Sequence, residues 1–151
     1  MSFDSVISFF GFFGLFVSLY AIYVERKARD GSRNAMCDFN DRASCSKVLT
    51  SPYSRMLGLT FKLPKNHPLN VPNTYFGLLF YIAIIAYPEY PFTLIPFREY
   101  LFFGATLASM TFCFVLAYIL YFKLNDFCAV CVTTYFINAV LLYCSYNELF
   151  V

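Results

Sequence analysis

The first long stretch of the chain, Ser5 to Val24, is an apolar run of about 20 residues without a charge. As a helix it is long enough to cross a hydrocarbon core about 30 Å thick. The whole chain is 60% hydrophobic and only 13% charged, about half the usual charged share. Because 151 residues cannot bury so much apolar surface in a core of their own, the sequence predicts an integral membrane protein.

A cleaved signal peptide is the alternative interpretation of this first run. The run is too long for one, and Asp4 precedes it where a signal peptide carries basic residues. No clean cleavage site with small residues follows it. We therefore interpret the run as a first transmembrane helix.

Three further apolar stretches follow, so we expect one all-α membrane domain over residues 1–151, built as a four-transmembrane-helix bundle. The predicted spans cover about residues 5–24, 73–87, 100–122 and 127–146. The second is short, which implies tilting or local thinning of the bilayer. The third carries small residues suited to close helix contact, namely Gly104, Ala105, Ala108 and Ser109.

The long polar loop, residues 25–72, contains every Lys and Arg except Arg98 and Lys123. With four spans, this loop and the short connection before Cys128 lie on the same side of the membrane. The positive-inside rule favours the cytosol for such a loop. Disulfide exchange between its cysteines favours an oxidising lumen instead, and we expect the luminal side because of that chemistry.

Cys128 and Cys131 form a Cys-X-X-Cys pair directly before the last apolar run. A helix N-terminus presents unpaired N–H groups and partial positive charge, both of which favour a thiolate, so the pair is predicted to be redox-active. Two alternatives are a pair of small core residues and half of a zinc site. The other half of such a site would be Cys37 and Cys45, whose spacing is wide for a zinc knuckle.

Cys37 and Cys45 form either a structural disulfide or a shuttle pair, and we favour the shuttle because exchange needs an exposed, mobile thiol. Cys113 and Cys144 lie inside predicted spans and are expected to be buried free thiols. The chain has no Gly-rich phosphate loop, and its only histidine is His67. We therefore expect no nucleic-acid partner, no metal and no permanently bound cofactor.

Other polar side chains lie near the pair in the predicted helices. Tyr135 is one turn after Cys131 on the same helix face, where its hydroxyl serves either packing or a ligand. Asn73 is either the N-cap of the second span or a hydrogen-bond donor at the same membrane edge. Asn138 is expected to hydrogen-bond between helices. An apolar pocket wall, or plain helix packing, is expected from Phe76, Phe80 and Leu116.

With these motifs the chain resembles the vitamin K epoxide reductase family over about residues 20–143. The matching pieces are Cys37-Asp38, Cys45-Ser46, Ser51, the segment from Asn73 to Gly77, and the segment from Cys128 to Tyr135. The segment from Leu116 to Phe122 is similar to a vertebrate paralogous branch of the same family. The chain departs from the vertebrate pattern after Ser51, because it contains no tryptophan.

The resemblance implies an enzyme of the endoplasmic reticulum membrane that reduces vitamin K 2,3-epoxide to the quinone, and the quinone to the hydroquinone, with electrons from thiols. It implies that Cys131 attacks the substrate and Cys128 resolves the adduct. Cys45 would then exchange with Cys128, and Cys37 would receive electrons from a luminal thioredoxin-like oxidoreductase. Further implied substrate-binding residues are Asn73, Tyr135, Phe76, Phe80, Leu116 and Ser51, in a pocket for which coumarin inhibitors such as warfarin compete.

Two other functions use the same residues. A quinone-linked thiol oxidase would run the electrons the other way and support disulfide formation. A non-catalytic membrane subunit would keep its cysteines in structural disulfides. Turnover of vitamin K epoxide separates the reductase from both.

Overall fold

The computed structural model describes residues 3–31, 45–50, 52–55, 61–62, 64, 66–68, 70–89, 92–124 and 128–151. These residues are helical or irregular. The helices are α1 (Phe3–Arg29), α2 (Cys45–Leu49), α3 (Asn73–Ala86), α4 (Arg98–Tyr118) and α5 (Ala129–Phe150). Two 3-10 turns lie at Pro52–Arg55 and Phe92–Leu94, and a π-helical turn, Ile119–Leu124, extends α4.

Among the described residues, three helices are long and apolar enough to cross a membrane: Phe3–Arg29, Arg98–Lys123 and Ala129–Phe150. They support the predicted multi-pass membrane protein. Large apolar side chains project outward from them, as in a bundle that faces lipid; examples are Phe9, Phe16, Leu101, Phe114 and Phe136. α3 has 14 residues and is therefore about 21 Å long, shorter than the hydrocarbon core. The fourth span remains a prediction.

The order of helix packing explains where space is left in the bundle. α1 packs against α3 and α5, and α4 packs against α5. Although α3 and α4 are described along their whole length, they make no extensive contact with each other. They face each other across a gap whose remaining walls are α1 and α5, and this gap becomes the candidate site.

Two glycines of α1 make close contacts with α3, and the sequence analysis did not predict these contacts. A Cβ added to Gly14 would overlap the ring of Tyr81 on α3, and one added to Gly11 would lie 2.9 Å from Ile85 Cγ1. Gly104 was expected at a close contact, but a Cβ there would meet nothing within 4 Å. That expectation is wrong because Gly104 lies on an open face of α4, away from the packed surfaces.

The contact between α4 and α5 contains a buried polar pair. The hydroxyls of Thr106 and Ser145 are 2.7 Å apart, and both side chains are buried. Thr106 also donates to the carbonyl of Phe102, one turn earlier. Hydroxyl pairs of this kind join helices inside a membrane, where water cannot satisfy them.

Of the two roles expected for Asn73, that of the N-cap of α3 is wrong. Its N-cap is Pro72, without a side-chain capping bond, and the Asn73 amide nitrogen donates instead to the carbonyl of Tyr53, 3.0 Å away. Proline commonly precedes or opens a helix because it has no N–H to satisfy. Asn73 therefore fastens a loop segment to the beginning of α3, a tertiary contact that its sequence position does not reveal.

Candidate functional site

The gap between α3 and α4 is a cavity of about 400 Å³. This volume lies within the range of about 300–1,000 Å³ that is usual for small-molecule sites. All of the main helices and the loop segments near Tyr53 contribute to it. Its apolar walls are lined by Ala21, Leu49, Phe76, Phe80, Ala105, Ala108, Phe112, Leu116, Ile119, Leu120 and Val130, and its polar lining includes Ser18, Tyr53, Asn73, Ser109, Cys131, Thr134, Tyr135 and Asn138.

Several predicted site residues meet in this cavity. Phe76 and Phe80 line it from α3, Leu116 lines it from α4, and Cys131 and Tyr135 line it from α5. Of the small residues of α4 expected at close helix contacts, Ala105, Ala108 and Ser109 line the cavity, and Ser109 also hydrogen-bonds to Asn138 on α5. Cys37 and Ser51 lie outside the described residues, as does the side chain of Cys45.

The Cys-X-X-Cys pair begins α5. Cys128 is the N-cap, and its sulfur accepts a hydrogen bond from the backbone N–H of Cys131 at 3.3 Å. Cys131 is a half-buried free thiol, so the two sulfurs are not bonded to each other. An N–H donated to a cap sulfur stabilises negative charge on that sulfur. This arrangement suits a thiol that must leave or attack as a thiolate.

The two cysteines have different surroundings. Cys131 lines the cavity, whereas Cys128 is fully buried outside the cavity lining, in an apolar cluster with Leu49 and Leu120. Leu49 is the last residue of α2, and α2 begins at Cys45. The backbone of Cys45 is therefore about 6 Å along a short helix from Leu49, a member of the cluster that contains Cys128. Cys131 thus faces the cavity, and Cys128 lies in the cluster that includes Leu49 of α2.

A short segment covers one end of the cavity. Tyr53 and Ser54, in the 3-10 turn Pro52–Arg55, line it. Besides the bond from Asn73 to Tyr53, Arg55 donates to the carbonyl of Asn70 at 2.7 Å. Because both bonds link the turn to the segment that begins α3, they hold it over the cavity.

Asn138 is the centre of a polar group deeper in the bundle. Its oxygen accepts from Ser109 at 3.0 Å, and its nitrogen donates to Cys113 Sγ at 3.2 Å and to the carbonyl of Thr134 at 3.0 Å. The predicted interhelical role of Asn138 is confirmed. Cys113 and Cys144 are buried free thiols, as expected, but Cys113 also lines the cavity. The only sequence signal for this is its position one helical turn before Leu116, a predicted wall residue.

Tyr81 is another cavity residue that the sequence analysis did not predict. It is 1% exposed, lines the cavity and lies beside Asn138. Its place depends on Gly14 across the α1–α3 contact, and such a pairing of distant positions has no signature in a single sequence.

The chain was also compared with known proteins. The model of the Vitamin K epoxide reductase family matches residues 5–146. Two curated relatives are the Vitamin K epoxide reductase complex subunit 1 of Mus musculus, 37% identical, and that of Rattus norvegicus, 36% identical. In each case the match covers 137 residues, which are 89% of this chain and 83% of the relative. A family match over nearly the whole chain shows that this chain belongs to the vitamin K epoxide reductase family.

Proposed function

We propose that this protein is a thiol-dependent oxidoreductase that reduces vitamin K 2,3-epoxide to vitamin K quinone, and the quinone to the hydroquinone. One observation carries the proposal: a free thiol of a Cys-X-X-Cys pair, Cys131, opens onto a mainly apolar cavity large enough for a fused-ring ligand. Family membership and the names of the curated relatives support the choice of vitamin K as the substrate.

In the proposed reaction, Cys131 as a thiolate attacks a ring carbon of the substrate and forms a carbon–sulfur bond. The sulfur of Cys128 then attacks the sulfur of Cys131, which breaks that bond and leaves a disulfide. Two electrons pass from the dithiol to the ring. With the epoxide the oxygen leaves as water and the quinone forms; with the quinone two protons are taken up and the hydroquinone forms.

The separate surroundings of the two thiols support these roles. Attack needs the sulfur that faces the cavity, and resolution needs a neighbouring sulfur that can also be reached from the loop. The N–H donated by Cys131 to Cys128 favours negative charge on the resolving sulfur. Asn73 and Tyr135 are the proposed donors to the ring oxygens as negative charge develops on them, and Phe76, Phe80 and Leu116 cover the ring.

Reduction of the Cys128–Cys131 disulfide is assigned to the loop cysteines. Cys45 would exchange with Cys128, and the packing of α2 beside Cys128 supports this step. Cys37 would pass on electrons from a luminal thioredoxin-like oxidoreductase, and Ser51 is proposed as part of the cover over the ring. These steps imply a four-span protein of the endoplasmic reticulum membrane with its site on the luminal side.

The test is reduction of vitamin K epoxide by the purified protein, driven by dithiothreitol, with and without warfarin. The unmodified protein should form the quinone, and Cys131→Ala should abolish turnover. Cys144→Ala is the matched control because it also removes a thiol of α5, but Cys144, unlike Cys131, does not line the cavity. A coumarin should inhibit competitively if it occupies the same cavity.

The same assay separates the other functions. Full turnover by Cys131→Ala would refute the proposed chemistry. Oxidation of a dithiol by added quinone, without any turnover of the epoxide, would indicate the thiol oxidase. A protein without turnover, whose electrophoretic mobility does not change when reductant is added to act on Cys128 and Cys131, would indicate a non-catalytic subunit.

A further inference from the structure

A second, smaller space lies on the outer surface of the bundle, between α1 and α5, and we call it the α1–α5 groove. Its volume is about 270 Å³. It is mainly apolar, and it is lined by Phe16, Val17 and Tyr20 of α1 and by Ala129, Val130 and Thr133 of α5. Because Phe16 is 66% exposed, the groove opens toward the lipid. Of its lining residues, only Val130 also lines the cavity between α3 and α4.

The α1–α5 groove lies at the end of the spans where α1 ends and α5 begins. Ala129 is the first residue of α5, and Tyr20 is nine residues before the end of α1. The groove therefore reaches the edge of the hydrocarbon layer, where acyl chains join their headgroups. Tyr20 and Ala129 also pack against the apolar cluster that contains Cys128. An acyl chain in the groove would lie against that cluster.

A row of side chains continues from the groove along α1 to a cation. Tyr20, Tyr23 and Lys27 are three and four residues apart and therefore lie on one helix face. The rings of Tyr20 and Tyr23 are 6.4 Å apart. Lys27 Nζ donates to the Tyr23 hydroxyl at 2.9 Å and lies 5.2 Å from the centre of the Tyr23 ring. This bond turns the ammonium back along α1, toward the groove.

The charge of Lys27 is not neutralised by a carboxylate in the described part of the chain. The last turn of α1 has three basic residues, Arg26, Lys27 and Arg29. Arg29 pairs with Glu25 at 2.7 Å, and Arg26 donates to the hydroxyl of Tyr75 on α3. Lys27 instead contacts an uncharged tyrosine. A phosphate next to the ammonium would supply the missing negative charge.

We propose that the α1–α5 groove binds one anionic phospholipid, with an acyl chain in the groove and the phosphate beside Lys27. Tyr20 and Tyr23 lie between the two, at the level where tyrosines are enriched in membrane proteins. A lysine near the membrane surface attracts anionic lipid while its stem covers apolar surface. A partner helix fits less well, because close helix contact favours small residues and Phe16 and Tyr20 form the edge of the groove.

The test is native mass spectrometry of the purified full-length protein. It is titrated with palmitoyl-oleoyl phosphatidylglycerol or with phosphatidylcholine that carries the same chains, and the adducts give a Kd for the first bound lipid. Lys27→Gln removes the charge. Its matched control is Lys123→Gln, because Lys123 is another exposed cation at the end of a membrane helix and does not line the groove.

A second pair of variants tests the groove itself. Thr133→Phe fills it with a ring. Val132→Phe adds the same ring at the neighbouring position, which is 42% exposed and outside the groove lining. Thr133→Phe should weaken binding of both lipids about tenfold, because the ring takes the place of about two methylene groups of the acyl chain. Val132→Phe should leave both affinities unchanged.

The unmodified protein should bind phosphatidylglycerol about fivefold more tightly than phosphatidylcholine, the effect of one lysine near the membrane surface. Lys27→Gln should remove this preference, and Lys123→Gln should keep it.

Three results would overturn the proposal. Equal affinity of the unmodified protein for the two lipids would do so, whether or not the variants fold. An equal loss of preference in Lys27→Gln and Lys123→Gln would indicate general attraction of anionic lipid to a basic protein. A dimer that Thr133→Phe disrupts and that phosphatidylglycerol does not affect would assign the groove to a second copy of the chain.

Discussion

Replacing Gly14 by alanine tests the contact that shapes the cavity wall. The added Cβ would overlap the ring of Tyr81, which is 1% exposed. Neither helix can yield locally, because the obstacle is a rigid ring rather than the end of a flexible side chain. The ring or the whole of α3 must therefore shift, and the wall of the cavity shifts with it.

The magnitude follows from two opposed effects. Overpacking a well-packed interior costs about 1–3 kcal/mol, and the direct overlap at Gly14 places this change at the upper end. Alanine gains about 1 kcal/mol over glycine in a helix interior. The expected net loss in the free energy of unfolding is about 2 kcal/mol, or about 4–8 °C in Tm for a chain of this size.

The assay is thermal unfolding of the purified protein in one detergent, with Gly104→Ala as the matched control. A Cβ at Gly104 meets no atom within 4 Å, so that variant should be as stable as the unmodified protein or more stable. Combining Gly14→Ala with Tyr81→Leu, which makes room for the Cβ, should cost less than the sum of the single changes. Equal stability of the two glycine variants would refute the argument.

Three other variants test the interior of the bundle. Thr106→Val removes the buried hydrogen bond to Ser145 and should lower the free energy of unfolding by about 0.5–2 kcal/mol in the same assay. Thr111→Val, on an exposed face, is the control and should have no measurable effect. Asn138→Leu should lower the free energy of unfolding by more, about 2–3 kcal/mol, because it leaves several hydrogen-bond partners unsatisfied at once. A smaller loss than for Thr106→Val would contradict the central place of the Asn138 amide. Ala108→Phe should fill part of the cavity and weaken quinone binding more than tenfold, as measured by titration, with little change in Tm. Unchanged affinity would show that the ligand binds elsewhere.

Several features of this protein could be predicted from local sequence patterns. Long uncharged runs specify membrane-crossing helices because backbone groups in lipid must be satisfied within the helix itself. The Cys-X-X-Cys pair could be predicted to begin a helix and to be redox-active, because its spacing and its place before an apolar run are both local features. The helical spacing of four residues predicted that Tyr135 lies on the same face as Cys131, and the structure shows both residues lining the cavity.

The remaining features depend on which helix face meets which. Gly14 was not recognised as a contact because its importance depends on Tyr81, which is distant in sequence. Gly104 was misjudged because small residues favour close packing only where another helix is present. Asn73 could be interpreted as a cap, but the nearby Tyr53 carbonyl decides its hydrogen bond.

The sequence by itself predicted a chain embedded in a membrane, its main helices and a Cys-X-X-Cys pair at the beginning of the last helix. Each of these follows from composition or from spacing along one helix. Only the tertiary structure decided that α3 and α4 stand apart, that Cys131 rather than Cys128 faces the space between them, and that Tyr81 faces it too. The physical reason is that a cavity is the volume that packing leaves unfilled, and no single helix contains that information.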